Sequence, residues 1–171
     1  MSDVSARPAY LSDLLDEQCA IIERELPSAS VGGRARTVNL REVVNAIFYR
    51  LRTGCSWEML PNDFPPKSTV FEYFTGWRNN GTWERLHNAL RRGVRKQDGR
   101  EATASAAIVD SQSAKTTETR GERGYNAGKN VKGRKRYILV DTLGLLIAVV
   151  ITAASVQDRD GANLVFQEAR G

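Results

Sequence analysis

Histidine and cysteine are almost missing from this 171-residue chain: there is one histidine, His87, and two cysteines, Cys19 and Cys55. Chemistry built on paired histidines is therefore excluded, and a histidine-based triad could draw only on His87. The cysteines lie far apart, without CxxC or Cys/His spacing. That argues against a zinc site and makes a disulfide unnecessary. Long apolar runs are also missing. The longest, residues 143–154, is too short to span a bilayer and reads as a buried strand. The N-terminus is polar and acidic, unlike a signal peptide, so the expected location is the cytoplasm, with no membrane partner. No internal repeat or low-complexity tract is present. A final absence is local: between Arg123 and Arg136 there is no acidic residue.

What is present is positive charge, with 25 Lys and Arg against 20 Asp and Glu, a net charge of +5. This favours a polyanionic partner only where the charge clusters. Residues 1–9 read as a disordered terminus. Residues 10–26 carry Leu11, Leu14, Leu15, Ile21, Ile22 and Leu26 at roughly helical spacing, and Pro27 ends the run. Residues 28–36 read as a Gly/Ser loop with two arginines. Asn39 can cap a helix over 39–53, with Glu42 as the reciprocal partner of a capping box. That helix would bury Leu40, Val43, Val44, Ile47, Phe48 and Leu51, and Gly54 would terminate it. The following CSWEMLPNDFPP is a rigid connector. Ser68 is expected to cap a helix over 69–79 with Val70, Phe71, Phe74 and Trp77 inward. Thr82 is expected to cap another over 83–96, with Trp83, Leu86, Leu90 and Val94 inward and Arg91, Arg92, Arg95 and Lys96 in its last turn. His87 has a packing or surface role. Residues 97–105 are small and polar and read as a linker between a helical domain, 10–96, and a sheet-forming one, 106–171.

Short helices joined by a rigid turn, with scattered arginines, suit a helix-turn-helix-like DNA-binding module; a bundle that packs on a partner protein is the plainer alternative. The candidate reading helix is 69–79, where Arg78 and Asn79 can reach bases or phosphates. In the second domain Arg123, Lys129, Lys132, Arg134, Lys135 and Arg136 are interrupted by Gly124, Gly128 and Gly133, so that backbone as well as side chains can approach a phosphate chain. Tyr125 adds one aromatic for stacking. A solvated hairpin loop is the alternative. Asp110 ends a short apolar run ahead of an expected Ser-Gln-Ser turn. It is either a turn cap or a metal ligand, since carboxylates from several strands can hold two divalent ions for phosphodiester chemistry. Asp141 reads as a hairpin turn residue, and Asp158 and Asp160 as helix-start residues. Ser111 and Ser113 have no base to activate them.

The runs LREVVNAIFYRLRTGCSWEMLPNDFPPKSTVFEYFTGWRNNGTWERL and AIVDSQSAKTTETRGERGYNAGKNVKGRKRYILVDTLGLLIAVVITAASVQDRDGA resemble bacterial insertion-sequence transposases of the DDE type. The resemblance covers residues 10–168 in collinear order. It implies an α+β chain, with a helical DNA-binding domain followed by the opening of an RNase H-like catalytic domain of three antiparallel strands and a helix. It implies cleavage and transfer of element ends into target DNA with Mg²⁺ held by two Asp and one Glu. The first of these acids falls on Asp110, as catalytic residue and metal ligand. On this reading the second Asp and the Glu lie beyond Gly171, so the expectation is an N-terminal portion, inactive alone and completed by a downstream portion or a homo-oligomer. The rival expectation is a non-catalytic protein that occupies element ends and regulates transposition. A nucleoid-associated location follows from either.

Overall fold

The computed structural model describes residues 7–28, 37–116 and 122–170. The expected loop at 29–36 and most of the expected disordered terminus lie outside them. The chain forms two compact units, Met1–Leu90 and Arg91–Gly171, the first ending inside a helix. No described helix is long and apolar enough to cross a membrane.

The first unit is helical: α1 (Asp16–Glu23), α2 (Leu40–Thr53), a 3-10 turn (Trp57–Met59), α3 (Lys67–Asn79) and the start of α4 (Thr82–Gln97). Its central element is α2. Asn39 accepts a hydrogen bond from the Arg41 N–H at one end, and Gly54 takes a left-handed φ of 70° at the other, a conformation that costs glycine least. Val43, Val44, Ala46 and Ile47 are buried on it, against Ile22, Phe64, Val70, Trp77 and Leu86 from the rest of the unit. Rings fill the space between the elements: Trp77 meets Trp83 edge-on at 5.3 Å, and Trp57 lies 5.3 Å from Phe74.

Several local expectations are corrected. Glu42 does not close a capping box; its carboxylate takes Arg7 at 2.6 Å and the Asn45 amide at 3.1 Å. Arg7 also donates to Asp13 and lies over the Phe64 ring, so the start of the described chain is pinned. The helix beginning at residue 10 is shortened to the two turns of α1, because Asp13 accepts from the Tyr10 N–H and forms a turn instead. Leu11, Leu15, Ile21 and Leu51, expected inside, are exposed. They line an open apolar groove with Phe48 and Leu90. Ser68 does not cap α3, which begins one residue earlier, at Lys67, behind Pro66. Proline cannot donate a backbone hydrogen bond and brings a preset φ, which suits a helix start. Thr82 lies inside α4, and Asn80 does the capping by accepting from both the Thr82 N–H and its hydroxyl. Phe71 and Val94 are exposed.

The second unit is an antiparallel sheet of β1 (Ala107–Lys115), β2 (Gly124–Asn126), β3 (Val131–Asp141) and β4 (Leu146–Ala153), followed by α5 (Asp158–Glu168). The α+β class is as expected, with one short strand more. β3 is central. β1 pairs along one edge of it, and β4 and β2 share its other partners. Successive side chains on a strand face opposite sides and directly paired residues share a side. One face of β3 therefore carries Gly133, Lys135, Tyr137, Leu139 and Asp141, all buried. Tyr137, Leu139, Ala148 and Val165 of α5 form the core there. Gly161 permits this packing, since a Cβ on it would stand 1.9 Å from Tyr137 Cζ. The opposite face stays open, with Ile108, Val149 and Ile151 exposed on it.

Candidate nucleic-acid interface and acidic site

Asp110 is the fourth residue of β1, paired with Ile138. The expected Ser-Gln-Ser turn does not form. Ser111, Gln112 and Ser113 continue the strand opposite Tyr137, Arg136 and Lys135. The cause is β3, whose eleven residues offer backbone partners well past the acid. Asp110 thus lies inside the strand, exposed, on the open face. Among the described residues no hydrogen bond or ion pair occupies its carboxylate, whereas Ser111, one residue on, faces α5 and donates to Asp158.

The open face of β3 carries Lys132, Arg134 and Arg136 at alternate positions, a basic stripe running toward the hairpin end. Arg136 Nη2 donates to Gln112 Oε1 at 2.7 Å across the strands, which holds it two residues along β1 from Asp110. Arg134 Nε donates to the Glu122 carbonyl at 3.3 Å. Arg123 and Lys129 are exposed in the segment before β3. Five of the six expected cations are thus at least partly accessible.

Lys135 is the sixth, and the structure takes it out of the set. It faces α5, is 4% exposed, and its ammonium is held by the Val156 carbonyl at 2.7 Å and Asp158 at 3.0 Å. Burial alone would lower its pKa; Asp158 and Tyr137 outweigh that and raise it. The Lys135 hydrogen bond holds the Asp158 carboxyl below its ordinary range, with a further contribution from Ser111. Asp158 is therefore a structural anchor for the start of α5, not a second acid beside Asp110. Lysine at this position in a run of basic residues gave no sign of its burial; only the strand alternation, Lys132, Arg134 and Arg136 against Gly133, Lys135 and Tyr137, could have separated the two classes.

The glycines of the basic segment also have a different role from the one expected. A Cβ on Gly133 would lie 2.1 Å from the Ala114 carbonyl oxygen, and one on Gly124 would lie 2.3 Å from Ser155 Oγ. Both are needed where the sheet's own chains meet. Gly128, at the turn, is under no such constraint: a Cβ there would make only an ordinary contact, 3.6 Å from Asn126 Oδ1.

A buried ion pair was missed altogether. Arg95, expected among the basic residues of the last turn of its helix, is 5% exposed and Asp141 1%. Arg95 Nη1 donates to Asp141 Oδ2 at 2.6 Å and Nε to the Glu101 carbonyl at 2.8 Å. Asp141 Oδ1 accepts from the backbone N–H groups of Leu143 and Leu145, each at 2.9 Å. Burial pushes the Asp141 carboxyl up, but Arg95 and the two amides more than offset it and leave it below the ordinary carboxylate range. Asp141 is thus the turn residue expected and also the counter-charge that fixes the segment around Glu101.

In the first unit, Arg78 and Asn79 are exposed at the C-terminal end of α3. His87 is half-buried in α4.

Two family models match the chain. "Putative transposase of IS4/5 family" matches residues 14–87, and "Transposase DDE domain" matches residues 101–170. The helical unit and the sheet unit thus each meet a transposase model, in the same order along the chain. The chain belongs to the DDE-type insertion-sequence transposases. No curated protein and no solved structure shows a significant match.

The DDE family is generally dependent on divalent metal. Among the described residues no group of three or more His, Cys, Asp or Glu side chains could hold a metal ion. Asp110 is a suitable oxygen ligand, but Asp158 is committed to Lys135 on the other face. The residues present do not by themselves fit a two-metal centre.

Proposed function

We propose that this chain binds insertion-element DNA through the open, basic face of its sheet and contributes Asp110 as the first acid of the transposition site. The observation that carries the reading is the position of Asp110: an exposed carboxylate on the same face as Lys132, Arg134 and Arg136, two residues along the register from Arg136. Cations on that face would bring a phosphodiester backbone to the carboxylate, and a carboxylate without a protein partner is suited to a hard cation that DNA chemistry requires. Mg²⁺ is the ion this donor type favours. The helical unit supplies the contact to element ends, with Arg78 and Asn79 on α3 as candidate contacts. Such a protein works at the bacterial nucleoid.

One suitable acid among the described residues does not position two metals, so on this reading the further ligands are supplied by polypeptide outside these residues, whether continuous with them or from a complementing portion or second transposase subunit. The same observation favours a second reading, in which the 171 residues occupy element ends and regulate transposition without chemistry. The two are separated by incubating labelled element ends with Mg²⁺ and this chain, alone and together with a longer transposase bearing an Asp110→Asn change. Restoration of strand transfer in the mixture supports the first reading. Competitive inhibition without restoration supports the second.

A further inference from the structure

Beside the β2–β3 turn, Lys115, Thr116, Arg123, Tyr125, Asn130 and Lys132 line a cleft. Three of the six carry positive charge and none carries negative charge. Lys115 was not among the cations expected from the sequence, because it lies at the end of β1, ahead of the basic run. The strand pairing sets Tyr125 directly opposite Lys132, so both side chains rise on one side of the ribbon. Tyr125 is 54% exposed, yet its hydroxyl donates to Asn130 Oδ1 at 2.5 Å. Asn130 holds a left-handed φ of 51°, the single non-glycine residue to do so among those described, and asparagine tolerates that region better than most side chains. The ring is thus anchored at its polar tip while much of its surface meets solvent.

An anchored, accessible aromatic ring is a platform for a nucleobase, and stacking of this kind requires a base whose own face is free. Duplex interior bases are stacked on their neighbours and cannot use it. The cations around the ring supply the counter-charge for the phosphate that accompanies such a base. We infer that this cleft binds one unpaired nucleotide of a DNA strand, with the base on Tyr125 and its phosphate among Lys115, Arg123 and Lys132. The inference rests on the DNA-binding reading above and adds the strand state that this part of the surface selects.

The test uses the full chain and two DNA probes of the same duplex sequence. One is blunt; the other carries a short single-stranded overhang with 2-aminopurine as its unpaired base. The overhang probe binds about tenfold more tightly than the blunt one, the scale expected for stacking one base on an aromatic side chain, and its fluorescence is quenched on binding. Tyr125→Ala removes the preference and the quenching but leaves blunt-duplex affinity within about twofold, because stacking contributes nothing there. Tyr125→Phe, which loses only the bond to Asn130, keeps the quenching. Lys115→Ala weakens the overhang complex more than the blunt one. Salt-dependent duplex binding with no overhang preference, or a preference that Tyr125→Ala leaves intact, overturns this inference alone. Failure to bind either probe overturns the DNA-binding reading as well.

Discussion

Three charged residues that look alike in the sequence have three different environments. Asp110 is exposed and has no hydrogen-bond or ion-pair partner among the described residues, Lys135 is buried and paired, and Asp141 is buried and hydrogen-bonded through both carboxylate oxygens. Their substitutions should differ accordingly. Asp110→Asn changes thermal stability by no more than about 0.5 kcal/mol, as for other exposed sites away from structural features. It leaves DNA affinity equal or slightly higher, since it removes a negative charge from a phosphate-facing surface; thermal melts and a binding titration check this. Asp141→Asn leaves Arg95 buried without its counter-charge, and loss of one partner of a buried pair costs about 3 kcal/mol or more. The pH dependence has a definite sign. The folded-state pKa of Asp141 is depressed, so its contribution is complete above the unfolded carboxylate value and is lost as pH falls through the folded one. Acid-unfolding curves of Asp141→Asn should therefore be flatter than those of the parent at acidic pH, and the two should converge in stability as the pH is lowered. A constant gap down to the acid transition would show that the pair carries no linkage.

At the level of elements, legibility followed local signals. α2 could be read to within a residue because a side-chain cap and a left-handed glycine bound it. α3 and α4 could be read as helices, but their first residues were misplaced, because Pro66 and Asn80 start them instead of the hydroxyl residues that propensity favours. β1, expected as a short run ending at Asp110, continues to Lys115 and is nine residues long. Polar Ser111, Gln112 and Ser113 have weak strand preference, and their extension is imposed by pairing to β3, a tertiary effect that no local window contains. The burial of Arg95 is illegible for the same reason, since it depends on a carboxylate distant in sequence, and that of Lys135 has only the strand alternation to signal it. Gly161 offers a test of the packing that closes the second unit. In an exposed helix interior, Gly→Ala would stabilise by about 1 kcal/mol. Here the added methyl meets the Tyr137 ring, and overpacking of this kind costs about 1–3 kcal/mol. Gly161→Ala should lower the denaturant midpoint; a raised midpoint would contradict the Tyr137–α5 contact.

For the whole molecule, the α+β class and the transposase family were both legible, because the aromatic- and glycine-rich runs that carry the resemblance lie in both units. What the sequence did not resolve was how the basic segment divides. One continuous run of cations becomes a solvent-facing stripe on one side of β3 and a structural lysine on the other. That division gives the DNA-binding claim a sharp form, because the accessible and buried cations make opposite predictions. The most direct measurement is the salt dependence of duplex DNA affinity for the parent chain, for the combined Lys132→Ala, Arg134→Ala and Arg136→Ala variant, and for Lys135→Ala, each confirmed as folded by circular dichroism. The account predicts a steep fall in affinity with salt for the parent, a log–log slope shallower by about 3 for the triple variant, and a parent-like slope for Lys135→Ala. A flat salt response in the parent, or a triple variant with the parent's slope, would contradict it.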